Sequence, residues 1–128
     1  MPLANKTSAW KDNPNYRIEI NAIKHQVQLI YNQTVIADST NALLLQENNY
    51  QPLYYFPKID VHMQFLQASS KKSFCPYKGD ARYWSIAVGN KHVEIAAWCY
   101  ESPFTEVGII KNCISFYPDV IDEIILVK

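Results

Sequence analysis

The chain has 128 residues, the length of one domain, and 48% of them are hydrophobic against 19% charged, which excludes a disordered chain. A domain of this size buries roughly two-thirds of its unfolded surface, enough for a core without staples. Lys+Arg and Asp+Glu number 12 each, so the net charge is zero and there is no basic footprint for a nucleic-acid backbone.

Hydrophobic periodicity is mostly two, the mark of strands. Residues 16–20 alternate cleanly, with Tyr16, Ile18 and Ile20 on one face. Residues 25–31 and 34–39 read as a hairpin across Asn32-Gln33, and residues 41–47 continue as a further strand. A short aromatic strand at 52–56 closes at Pro57. The spacing then predicts a helix capped by Asp60, with Val61, Phe65 and Leu66 on one side. Residues 69–73 read as a polar loop. Two long strands, 80–88 and 91–100, flank Gly89-Asn90, a strong two-residue turn signal. Residues 105–110 fit a helix only ambiguously, and strands at 112–117 and 123–127 end the chain. The expectation is a single, mainly β, antiparallel domain with one or two short helices.

The opening residues, Met1 to Lys6, hold no apolar leader core, and no stretch reaches the roughly 18 apolar residues of a membrane span. Three cysteines, Cys75, Cys99 and Cys113, cannot all pair within one chain. Together these imply reduced thiols, a cytoplasmic setting and no membrane partner.

If Gly89-Asn90 is a simple turn, Trp84 faces Ile95, Ile86 faces Val93 and Arg82 faces Ala97 on a core side. The other side then pairs Tyr83 with Ala96, Ser85 with Glu94, Ala81 with Trp98 and Gly79 with Tyr100. That second face combines large rings, small residues and Glu94, and runs into the loop carrying Cys75 and Lys78. It reads as the wall of a small-molecule pocket or as ordinary packing.

The residues bearing chemistry divide similarly. Lys78 offers a charge for an anionic group and Gly79 a close backbone approach, so Lys78→Met is expected to keep the fold and melting temperature while weakening the binding of an acidic ligand; the alternative is a bend with a solvated lysine. Cys75, three positions from Lys78, is either a reactive thiol or a small hydrophobe. A simple turn at Asn32-Gln33 places Asp38 opposite Val27 on an apolar side, and Glu47 shares a side with Leu43 and Leu45. Each is an acid–base candidate or a structural hydrogen-bond acceptor. His25, His62 and His92 have no metal-ligand spacing, so no metal and no cofactor are expected.

An ordered series then emerges: Ala37-Asp38-Ser39, Glu47, Tyr55-Phe56-Pro57 with Asp60-Val61, Cys75-Pro76-Tyr77-Lys78-Gly79 with Ala81 and Tyr83, Ala97-Trp98 with Tyr100 and Pro103, and Phe116-Tyr117. It resembles the family known as domain of unknown function 427, labelled a nucleotidyltransferase-like domain. The family-like region spans about 16–127, leaving 1–15 as an N-terminal extension of one domain covering 1–128. The resemblance implies a mainly β fold similar to the β-tent group, which includes zinc knuckles and methionine sulfoxide reductases. This chain has no Cys-x-x-Cys pair, and neither the Gly-Ser turn nor the Asp-x-Asp pair that nucleotidyl transfer uses. The reading is a small-molecule-binding domain, enzymatic or not, with Lys78, Gly79, Tyr83, Glu94, Trp98 and Tyr100 at the ligand and Asp38, Glu47 and Cys75 as candidate catalytic groups. The alternatives are a peptide or protein interaction module and, third, a nucleotidyltransferase; the oligomeric state is left open.

Overall fold

The computed structural model describes residues 7–127, so Met1 to Lys6, read above as lacking a leader, lie outside it. Ten strands form two antiparallel sheets: β1 (Ile18–Ala22), β2 (Gln26–Tyr31), β3 (Thr34–Ser39), β4 (Leu43–Glu47), β5 (Leu53–Pro57), β6 (Leu66–Cys75), β7 (Gly79–Val88), β8 (Lys91–Tyr100), β9 (Cys113–Phe116) and β10 (Glu123–Val127). The larger sheet runs β1-β4-β5-β9-β8-β7-β6 and the smaller β10-β2-β3, neither closing into a barrel.

The mainly β expectation holds, with two corrections in the middle of the chain. The helix predicted from Asp60 is two 3-10 turns, Lys58–Asp60 and Met63–Phe65. Asp60 caps no helix; its carboxylate accepts a 2.6 Å hydrogen bond from Ser39 Oγ. The polar run at 69–73 is not a loop but the middle of β6, an edge strand. Ser70, Lys71, Lys72 and Ser73 are exposed, the usual protection of a sheet edge. The ambiguous stretch near 105 is the 3-10 segment Thr105–Ile110.

The two sheets enclose a hydrophobic core of Val27, Leu29, Ile36, Phe56, Trp84, Ile86, Ile114 and Phe116. Trp84 is 4% exposed, as the core reading of its face requires. The large sheet buries its opposite face too, under Val107 and Ile110 of the 3-10 segment, with Trp10 packed alongside.

Two irregularities change the simple register. At β7–β8 the pairs Val88–Lys91 and Ile86–Val93 follow the turn as expected, with Gly89 at φ +60 in its first position. Beyond them Ser85 stands alone against Glu94, Ile95 and Ala96, so Trp84 meets Ala97, Tyr83 meets Trp98 and Ala81 meets Tyr100. A slip of two preserves the side-chain alternation, so the aromatic face survives with new partners. Ile95 packs on that aromatic face instead of against Trp84.

At β2–β3 the slip is one residue. Asn32 and Gln33, both at positive φ, turn the hairpin, but beyond Ile30–Val35 the partners become Leu29–Ala37 and Gln28–Asp38. A slip of one moves side chains to the other face. Asp38 therefore leaves the apolar side and accepts from Gln26 Nε2 at 2.8 Å and Gln28 Nε2 at 3.2 Å.

Candidate functional site

The polar heart of the aromatic face is a pair. Lys78 Nζ donates to Glu47 Oε1 at 2.5 Å, and the two side chains are only 8% and 15% exposed. Glu47 is the last residue of β4, delivered to this face by the alternation that points Leu43 and Leu45 the same way. Lys78 sits in the turn between β6 and β7, where its N–H donates to the Cys75 carbonyl and its own carbonyl accepts from Phe104 N–H. Gly79 follows at φ +119, and a Cβ there would stand 3.3 Å from the Ser102 carbonyl oxygen. That conformation and closeness admit only glycine without strain.

The other oxygen of Glu47 accepts from the Tyr16 hydroxyl. Burial and this carboxylate both raise the pKa of Tyr16, so the phenol stays protonated and remains the donor. The Tyr16 ring lies on that of Tyr77, centroids 3.6 Å apart and planes within 4°. Trp10 closes edge-on against both rings, and its Nε1–H donates to the Tyr77 carbonyl at 2.8 Å.

Beneath this lies a group of phenols and an indole. Trp98 Nε1–H donates to the Tyr55 hydroxyl at 3.1 Å, fully buried, and Tyr117 packs on Trp98 with centroids 4.6 Å apart. The Tyr83 hydroxyl is 2.7 Å from Ser73 Oγ, and the Lys71 ammonium lies 4.8 Å from the centre of its ring. Burial raises the pKa values of Tyr55 and Tyr100, so both phenols stay neutral at physiological pH.

Of the residues singled out from sequence, Glu47, Lys78, Gly79, Tyr83, Trp98 and Tyr100 gather on this face, with Cys75 half-buried beside them. Asp38 lies in the smaller sheet. Glu94 is 85% exposed and 3.6 Å from His92 Nε2, outside the cluster. Sequence reasoning passed over Trp10, Tyr16 and Tyr77 as contributors to the face. Tyr77 lies inside the Cys-Pro-Tyr-Lys-Gly motif, whereas nothing in the sequence ties Trp10 or Tyr16 to a residue some 60 positions away.

The described residues include no group of three or more His, Cys, Asp or Glu side chains placed to hold a metal ion, and no helix long and apolar enough to cross a membrane. Two clefts lie away from the Lys78–Glu47 pair. One, a cavity of about 60 Å³, opens between the sheets at Leu29, Tyr54, Phe116 and Ile124. The other is a wide depression beside the Gly89-Asn90 turn.

Fold and face together define a small two-sheet antiparallel β domain whose larger sheet carries a buried, charge-bearing aromatic face. The chain belongs to the family described as Domain of unknown function (DUF427), whose model matches residues 19–126. None of the curated proteins compared with the chain matches it.

Proposed function

We propose that this domain binds a small molecule at the aromatic face, with Lys78 receiving an anionic group. The observation that carries the reading is the Lys78–Glu47 pair, held almost out of water. Removing two charges from water costs several kcal/mol per ion, and apolar residues of similar volume often serve stability as well or better. An ammonium and a carboxylate retained among Tyr55, Tyr83, Trp98 and Tyr100 resemble the few convergent polar groups of a ligand site. Glu47 is also the candidate acid–base group for whatever binds. Burial of Tyr83, Trp98 and Tyr100 at 7–8% exposure favours this reading over a docking patch for a protein, which would leave the rings open. The three free thiols fit a reducing, cytoplasmic setting.

The test is a thermal-shift screen of the whole chain against carboxylate and phosphate metabolites, repeated on the charge-neutral variant Lys78→Met/Glu47→Gln. A ligand at a hundredfold excess over its Kd stabilises by about 2.7 kcal/mol. Acidic compounds should raise the Tm of the parent chain and leave that of the variant unmoved. Equal shifts in both proteins, or none in either, would remove the assignment.

A further inference from the structure

The cluster around Lys78 and Glu47 is filled by the protein's own side chains, and two of these, Trp10 and Tyr16, come from outside the matched stretch. Residues 7–17 run over the Cys75-to-Gly79 turn and precede the matched stretch 19–126. They are tied there by Ala9 N–H to the Pro76 carbonyl at 2.9 Å, Trp10 Nε1–H to the Tyr77 carbonyl, and the Tyr16 hydroxyl to Glu47. Trp10 and Tyr16 are only half-buried, and residues 11–15 are exposed. Such a segment opens locally at far less cost than the sheet beneath it.

We infer that Tyr16 occupies a binding slot as a built-in stand-in for a ligand, and that the slot takes a flat aromatic ring bearing a hydroxyl or N–H donor. The inference rests on the small-molecule reading and specifies its ligand class. Each wall of the slot sets one requirement. Tyr77 presents a ring face, met by Tyr16 at 3.6 Å with planes within 4°. Only a flat π-system fills that gap. Glu47 Oε2 presents an acceptor, which requires a donor on the ring's edge. Lys78 stands on the other oxygen of the same carboxylate, so an acidic substituent on the ring would fall within its field. Two tyrosine rings stacked squarely oppose like faces of their quadrupoles, a less favoured arrangement than an offset or edge-on contact. Tyr16 is thus a serviceable occupant that a better-matched ring can replace. Tyr77, Lys78 and Glu47 all lie within the family region, whereas Tyr16 and Trp10 do not.

Tyr16→Ala empties the slot, and 4-methylphenol, the tyrosine side chain as a free molecule, is the probe. Toluene has the same shape without the donor. At millimolar concentration 4-methylphenol should raise the Tm of Tyr16→Ala with an apparent affinity at least fivefold better than toluene. It should also bind Tyr16→Ala at least tenfold more tightly than the parent chain, where Tyr16 competes. Equal responses to the two probes, or equal responses of variant and parent, would overturn the inference. Should Tyr16→Ala fail to fold, Tyr16→Phe keeps the ring, loses the Glu47 hydrogen bond, and should take up 4-methylphenol at least threefold more tightly than the parent. Identical binding by Tyr16→Phe and the parent would equally overturn it. The probe is uncharged, so its arm is read independently of the Lys78-dependent shifts that test the broader reading.

Discussion

Replacing Lys78 by methionine separates a buried ion pair from a solvated one. Side-chain exposures of 8% for Lys78 and 15% for Glu47 place the pair in the class where loss of one partner costs about 3–5 kcal/mol, because the other charge is left buried and uncompensated. An exposed pair would cost at most about 1 kcal/mol. Tyr16 continues to donate to Glu47 in the variant, which puts the expected loss near the lower bound, about 3 kcal/mol. The structure thereby revises the sequence-based expectation that Lys78→Met leaves stability untouched. Urea unfolding of the parent chain, Lys78→Met, Glu47→Gln and the double variant closes a cycle that isolates the coupling. Glu47→Gln should lose a similar amount and the double variant no more than either single one, giving a coupling of at least about 3 kcal/mol between the two positions. A single-variant loss below about 1 kcal/mol together with zero coupling would show that water screens the pair, and the argument from buried charge would fall.

Other outcomes follow from the packing and from the titratable groups. Trp84→Ala should lose about 3–5 kcal/mol in the same assay, whereas Ser85→Ala, at the register slip, should lose under about 1 kcal/mol; equal losses would contradict the assigned faces. Gly79→Ala should cost roughly 1–3 kcal/mol, since an L-residue is strained at φ +119 and its Cβ would press on the Ser102 carbonyl; a neutral result would mean that the turn relaxes freely. Iodoacetamide at pH 8 should alkylate half-buried Cys75 well before Cys99 and Cys113, as peptide mapping would reveal; early labelling of Cys99 would refute its burial. Burial, with Glu101 adding, pushes the Cys99 thiol up to about 11, and Tyr16, Tyr55 and Tyr100 shift the same way. The unfolded chain ionises these groups first, so stability should be intact below about pH 8.5 and fall as pH rises through 11; an unchanged urea midpoint between pH 8 and 11 would contradict this.

Much of the fold can be read from alternation alone, because a strand with one buried face writes its period into the sequence. The two tight turns were legible for the same local reason, Gly89-Asn90 and Asn32-Gln33 each standing between alternating runs. Register irregularities were not. Nothing local announces that β8 carries extra residues opposite Ser85, or that β3 slips past β2 beyond Val35. The two errors had unequal consequences because an even slip conserves side and an odd one exchanges it: Trp98 stayed with the site, whereas Asp38 left it. The false helix near Asp60 came from Val61, Phe65 and Leu66 falling at helical spacing, although Val61 is extended between two 3-10 turns and Leu66 begins β6. Glu47 and Lys78 were each legible as unusual, but their contact spans 31 positions and depends on completed tertiary structure.

The Lys78–Glu47 site also has a temporal meaning. Its parts arrive from the end of β4, from β5, β7 and β8, from the turn after β6, and from the segment before β1. No hairpin contains two of its charged groups, and β4 reaches β8 only through β5 and β9. The charged pair therefore meets only once β4, β5, β9, β8 and β7 are joined. Folds rich in such long-range pairings are slow to assemble, and whatever recognises this cluster recognises chains in which those five strands are already in place. A ligand held there would act on the entire folding equilibrium rather than on one loop, leaving the unfolded and half-folded chain unprotected.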